Sequence, residues 1–222
     1  MTAEPIRIDA VVAEAERAAI VAGAEQLSEA LSHATGAPWP VQVGFHATVP
    51  PNGSASAHPF VILSLLPETA ATESIEDTES RWRARLAALV ERGAPVFLCT
   101  VFRSPAAPPA GPGTPNPRLD RIRRLNLMAI RLSHALGVWV IDWDRALAHV
   151  GARALSCDYR LGGRLAAEVA GHQVAWALLS YGIDAAPPQA QERAKTFHGD
   201  LQRIDALIER RLKRRGRAAQ LG

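Results

Sequence analysis

The stretch "FHATVPPNGSASAHPF" places His46 and His58 on either side of Ser54 and Ser56. An imidazole that can take the proton of a nearby hydroxyl turns it into a nucleophile, so these four residues are the chain's direct candidates for acyl transfer. The simpler reading is a solvated polar loop, because serine and histidine are common in such loops without a catalytic role. In "VIDWD", Asp142 and Asp144 alternate at the end of an apolar run, as metal-binding carboxylates could. Aspartates at that place also cap the helix that follows a strand, and this is the preferred reading. Arg160 and Arg164 frame "RLGGR" just ahead of a helical pattern, where backbone donors would help two guanidiniums hold an anion. A solvent-facing role is the simpler one. Cys99 and Cys157 lack metal spacing and read as buried thiols. No phosphate loop, Gly-x-Gly-x-x-Gly, zincin or CxxC pattern occurs, so neither a metal nor a cofactor is expected.

These residues need elements to hold them. "PVQVGFHATV", "PFVILSLL", "APVFLCTVF" and "GVWVIDW" read as strands at 41–46, 60–65, 95–101 and 137–141. Their near-continuous apolar character suits a parallel sheet covered on both faces. Helical periodicity runs through "TESIEDTESRWRARLAALVERG", "RLDRIRRLNLMAIRLSHALG" and "LGGRLAAEVAGHQVAWALLSYG". His134 and His172 fall within the last two and are expected at packing boundaries. Residues 11–36 are ambiguous: one alanine-rich helix, as propensity prefers, or a first strand at 19–23 followed by a helix, as the alternating topology prefers. The second reading gives five parallel strands. Proline and glycine mark 104–118 as a loop. A final helix over 192–215 would bring Leu201, Ile204, Leu207, Ile208 and Leu212 onto one face.

In this order the elements resemble those of the SGNH/GDSL hydrolase family, best over residues 59–182. "PFVILSLLPETAATESIEDTESRWRARLAALVERGAPVFLCTVFRSP" is similar to the family's third strand, Gly-x-Asn-Asp loop, helix and fourth strand. "NPRLDRIRRLNLMAIRLSHALGVWVIDWDRAL" is similar to its later segment, with an asparagine, here Asn126, in the helix before the strand that ends at Asp142. "SCDYRLGGRLAAEVAGHQVAWAL" stands where the family has its catalytic Asp-x-x-His block and closing helix. The resemblance implies a three-layer α/β flavodoxin-like domain with a five-stranded parallel sheet in the order 2-1-3-4-5, and an ancestral ester-hydrolysing site.

The site residues depart from the family pattern. The family's Gly-Asp-Ser turn is matched by Gly23-Ala24-Glu25, without a hydroxyl. Its asparagine block is matched by Leu66-Pro67-Glu68-Thr69. Gly44 stands where the family supplies an oxyanion amide, and Asp158 is present with Leu161 in the place of the histidine. A serine attacks only with a base to take its proton and donors to meet the oxyanion, and two glutamates would repel that oxyanion. The resemblance therefore implies a degenerate member, a binding or accessory protein near glycan or acyl-ester metabolism. Asp158 is then expected to cap the helix near 160–162, with Leu161 packed inward. Ligand contacts would come from His46, His58 and Arg160. The alternatives are an active esterase with a rearranged site and an interaction module.

The formal charge of +3 is concentrated in "IERRLKRRGRAAQLG". No aromatic residues interleave with those basic ones, so nucleic acid is not the expected partner. A protein partner or second copy would use residues 192–215. No apolar run approaches the roughly 18 residues of a membrane span, and the acidic N-terminus does not read as a signal peptide. The expected organisation is an SGNH-like domain over 1–182, then a linker and basic C-terminal helix over 183–222, in the cytoplasm.

Overall fold

The computed structural model describes residues 5–50, 59–103, 116–154, 164–184 and 186–199. Strands β1 (Ile6–Val11), β2 (Val41–Phe45), β3 (Phe60–Ser64), β4 (Val96–Cys99) and β5 (Trp139–Ile141) form one sheet in the order β2-β1-β3-β4-β5. Every pairing is parallel. The helices are α1 (Arg17–Thr35), α2 (Ile75–Glu91), α3 (Pro117–Leu136), α4 (Trp143–Ala154), α5 (Arg164–Tyr181) and α6 (Pro188–His198). The flavodoxin-like order holds, but its first strand lies earlier than 19–23.

Two local preferences explain that correction. In "IRIDAV", Ile6, Ile8 and Ala10 alternate inward against α1 and α5, which is the two-residue period of a strand. Residues 17–35 are alanine-rich and bury Ala19, Ile20, Gly23, Leu27 and Leu31 at helical spacing, so propensity and packing agree. Gly36 ends α1 with φ of 73°, a left-handed conformation that glycine adopts without strain. Gly23-Ala24-Glu25 is thus a mid-helix segment, with Gly23 and Ala24 buried and Glu25 exposed.

The sheet has two covered faces. On one, Ile8, Ile62 and Phe97 pack against α1, α4, α5 and α6; on the other, Val61, Leu63, Val96 and Leu98 pack against α2 and α3. Ser74 caps α2 by accepting the Asp77 N–H, and Asn116 caps α3 by accepting the Leu119 N–H. The helix therefore starts at Pro117, inside the loop expected over 104–118; residues 104–115 lie outside the described residues. α6 starts at Pro188 rather than 192 and is stopped at Gly199, whose φ is 71°. Leu201 to Leu212 lie outside the described residues. His172 packs between helices, its ring stacked 4.0 Å from that of His198. His134 instead points to solvent, because it falls off the stripe formed by Ile122, Leu125, Met128 and Leu132. Among the described residues no helix is long and apolar enough to cross a membrane.

Candidate functional site

In open parallel sheets, ligands bind outside the C-terminal ends of the strands, so the five strand ends define where a site can stand. β1 leads through Val12, Ala13, Glu14, Ala15 and Glu16 into α1. This turn, rather than Gly23-Ala24-Glu25, follows the first strand, and it also lacks a hydroxyl or thiol. Glu16 is fully buried at the start of α1. Its Oε2 accepts the Ala13 N–H at 2.9 Å and its Oε1 accepts the Ser64 hydroxyl at 2.7 Å. Burial pushes its carboxyl up to about 7, only partly offset by the bonds from Ser64 and Ala13. The Ser64 oxygen in turn accepts the Leu66 N–H at 2.9 Å. Ser64 and Glu16 form a closed contact at the root of the β3 turn, and a serine 3% exposed cannot meet a substrate. Cys99, at the end of β4, is fully buried, and burial together with the nearby Glu16 charge drives its thiol well up. Cys99 is thus the buried thiol expected of it, and Cys157 lies outside the described residues.

At the end of β2, His46 Nε2 donates to Asp9 Oδ1 at 3.0 Å. A Cβ on Gly44 would stand 2.7 Å from that Nε2 and 3.2 Å from Asp9 Oδ1. Glycine at 44 therefore clears the space in which this pair meets. His46 is half-buried, so the pair is an oriented imidazole on a carboxylate beside the end of the sheet. His58, Ser54 and Ser56 lie outside the described residues.

After β3, Glu68 does not project free charge over the sheet. Its Oε2 accepts Arg81 Nη2 at 2.7 Å and its Oε1 accepts Trp82 Nε1 at 2.9 Å. Burial raises its carboxyl, but the bonds from Arg81 and Trp82 outweigh this and hold it below the usual range. Arg81 also pairs with Glu73. Arg121 reaches across from α3 to the Glu68 and Glu73 carbonyls at 2.7 and 2.8 Å. The turn after β3 is a pinned structural corner. Removing the acceptor should show this: Glu68→Ala leaves the Trp82 N–H without a partner and Arg81 with Glu73 alone, and should cost about 1–3 kcal/mol, while Glu68→Gln keeps an acceptor and costs less. Urea unfolding of the two variants measures the difference.

β4 and β5 end on a third cluster. The Thr100 hydroxyl donates to Asp142 Oδ1 at 3.1 Å, and that oxygen also accepts the Arg145 N–H at 3.0 Å, capping α4. Asp144 holds Arg103 through Nε, 2.7 Å from Oδ2. Asn126 clamps the backbone of Val101, accepting its N–H at 2.8 Å and donating to its carbonyl at 2.9 Å. Asp142 thus caps the start of α4, and Asp144 holds an ion pair. Among the described residues no three His, Cys, Asp or Glu side chains gather as a metal site would require. Asp158, Arg160 and Leu161 lie outside the described residues. Glu16 and Asp9 were not flagged from the sequence; placing β1 at 6–11 from the alternation of Ile6, Ile8 and Ala10 would have put both beside the expected site.

No protein-family model matches the chain, and no curated protein sequence is significantly similar to it. Solved structures do match. The crystal structure of an acetyl xylan esterase, AlAXEase, superposes with a TM-score of 0.50 at 16% identity, over 80% of this chain and 100% of the esterase chain. A GDSL-like lipase from Parabacteroides merdae ATCC 43184 superposes with a TM-score of 0.50 at 15% identity, over 79% of this chain and 95% of its own. At such identities the likeness is one of architecture, and chemistry has to be argued from the site. The chain has an SGNH/GDSL hydrolase-like fold, with a five-stranded all-parallel sheet between helical layers.

Proposed function

We propose that this chain is an SGNH-like protein that has lost ester hydrolysis and serves as a binding or accessory protein for an acyl-ester or carbohydrate ligand. The observation that carries this reading is the turn from β1 into α1: Val12 to Glu16 contain no hydroxyl, and the glutamate that ends it is buried and bonded to Ser64. Attack on an acyl carbon needs an exposed nucleophile beside a base, and neither Ser64 at the end of β3 nor Thr100 at the end of β4 meets that requirement. Ser64 is enclosed, and Thr100 spends its hydrogen on Asp142 and its lone pair on the Asp144 N–H. The likeness to an acetyl xylan esterase supports acylated carbohydrate as the ligand class by analogy of fold alone.

One observation favours a second reading. The His46–Asp9 pair is the orienting half of a nucleophilic triad and needs only a hydroxyl from the neighbouring chain, Ser54 or Ser56, to complete it. Turnover of 4-nitrophenyl acetate by the purified protein separates the two. The proposal expects the rate of buffer plus an inert protein, unchanged by His46→Ala, Ser54→Ala or Ser56→Ala. Turnover abolished by His46→Ala and by one of the serine changes would establish the rearranged esterase instead.

A further inference from the structure

A cleft of about 350 Å³ opens beside the ends of β4 and β5, at the opposite side of the sheet from the β1 turn and the His46–Asp9 pair. One wall is a face of α3, with Arg123, Leu127 and Ile130 at helical spacing. Thr100, Arg103, Asp142 and Asp144 line it from the strand ends. Its volume is within the range of small-molecule sites.

The charges in the cleft are unevenly satisfied. Asp144 is met by Arg103, which binds it through both Nε and its backbone N–H. Asp142 is met by the Thr100 hydroxyl and by the Arg145 N–H in the first turn of α4, where the helix dipole also favours negative charge. Arg123 has no acidic partner among the described residues. Arg103 uses only Nε and its backbone on Asp144, and its terminal nitrogens bond to no described residue. Donors without acceptors therefore outnumber acceptors without donors. Beside them, Leu127 is 59% exposed and Ile130 41% exposed, two large apolar side chains adjacent on one helix face.

We propose that this cleft binds a small organic carboxylate, its head group on Arg123 and the outer nitrogens of Arg103, and its hydrocarbon part on Leu127 and Ile130. A guanidinium matches a carboxylate with paired N–H donors, and covering the two side chains removes apolar surface from water. The cleft shares Thr100 and Asp142 with the argument for lost hydrolysis, but Arg123, Arg103, Leu127 and Ile130 have no part in it, so the assignment does not depend on that loss.

The test is an NMR titration of the full chain with four probes: hexanoate, hexanol, hexylammonium and inorganic phosphate. Hexanoate should move the backbone amides of Thr100, Arg103 and the α3 segment 123–130 saturably, and added salt should weaken it. Arg123→Gln should weaken it by about tenfold or more, as loss of a charge-assisted bond does. Leu127→Ser should weaken it as well, and Arg83→Gln, on α2, should leave it unchanged. Both altered cleft residues are exposed, so the variants should fold, and their spectra report whether they do. No response in the cleft, or an undiminished one in Arg123→Gln, would overturn the assignment. So would an equal response to phosphate, to hexanol or to hexylammonium, which would make the recognition one of charge alone, of apolar contact alone or of the aspartates.

Discussion

Replacing Glu16 by glutamine should make the protein more stable at pH 8 by about 3 kcal/mol, while leaving it nearly unchanged at pH 4.5. The wild-type carboxyl is raised to about 7 in the folded protein because it is buried, against 4.5 for the ordinary group. A raised pKa means that the folded chain holds the proton more tightly than the unfolded chain. The stability linked to Glu16 is therefore fully present below pH 4.5, declines as the pH rises through about 7, and is level above that. Glutamine is uncharged throughout and has nearly the same shape, so it removes the cost of a buried charge and keeps an acceptor for Ser64 or Ala13. Carboxyls held below their ordinary range, those of Glu68 and Glu79 by Arg81 and Arg131, work in the opposite direction and in another window. Their stability is present above pH 4.5 and is lost as the pH falls below it. The difference between wild type and Glu16→Gln in urea unfolding, measured from pH 4.5 to 8, isolates the one residue. A flat difference would mean that Glu16 is solvated and that the β1 turn is open.

The second large effect is expected where α1 crosses α5. A Cβ on Gly171 would stand 2.7 Å from the Gly23 nitrogen and 2.8 Å from the Ala22 Cβ, and one on Gly23 would stand 2.6 Å from the Val174 Cβ. The two backbones touch, so the new atom has no flexible side chain to displace. Alanine gains about 1 kcal/mol of helix propensity over glycine. Separating two packed helices costs more, and the expected net loss for Gly171→Ala is about 1–3 kcal/mol. For a chain of this length a loss near 2 kcal/mol lowers the melting temperature by about 4–8 °C. A variant that melts at or above wild type would show that the helices are further apart. The same contact explains why Gly23 stands in an otherwise alanine-rich helix: it is a spacer between helices, with no part in a turn at the sheet edge.

Four of the five strands could be read from the sequence, because β-branched and aromatic runs such as "PFVILS" and "PVFLC" have few other uses and are bounded by prolines. Their alternation with helices implied a parallel sheet, and the resemblance to the SGNH/GDSL family supplied the order. β1 was hidden by its own composition. Arg7 and Asp9 interrupt it on the face away from α1 and α5, and Asp9 is there to meet His46, so the strand does not read as an apolar run. The neighbouring "RAAIVAGA" satisfied both a strand and a helix pattern, and topology chose the wrong one. That single displacement moved the expected nucleophile turn from 12–16 to 23–25 and concealed Glu16. Glu68 follows β3, but the groups that meet its carboxylate could not be read from its own stretch, because Arg81 and Trp82 reach it from α2, 13 and 14 residues away in sequence. The cleft at β4 and β5 was not legible at all. It exists only because α3 lies against two strand ends, and its lining combines residues from 100 to 144.

The central claim is that this hydrolase-like fold presents no activated hydroxyl. Covalent labelling tests it most directly: the native protein is incubated with a fluorophosphonate at pH 8 and its intact mass is measured, because such reagents capture serines whose proton is taken by a neighbouring base. The account predicts an unchanged mass, with a serine esterase labelled in parallel. A single adduct lost in His46→Ala and mapped to Ser54 or Ser56 would contradict it and make the chain a serine hydrolase with its nucleophile on the segment between β2 and β3.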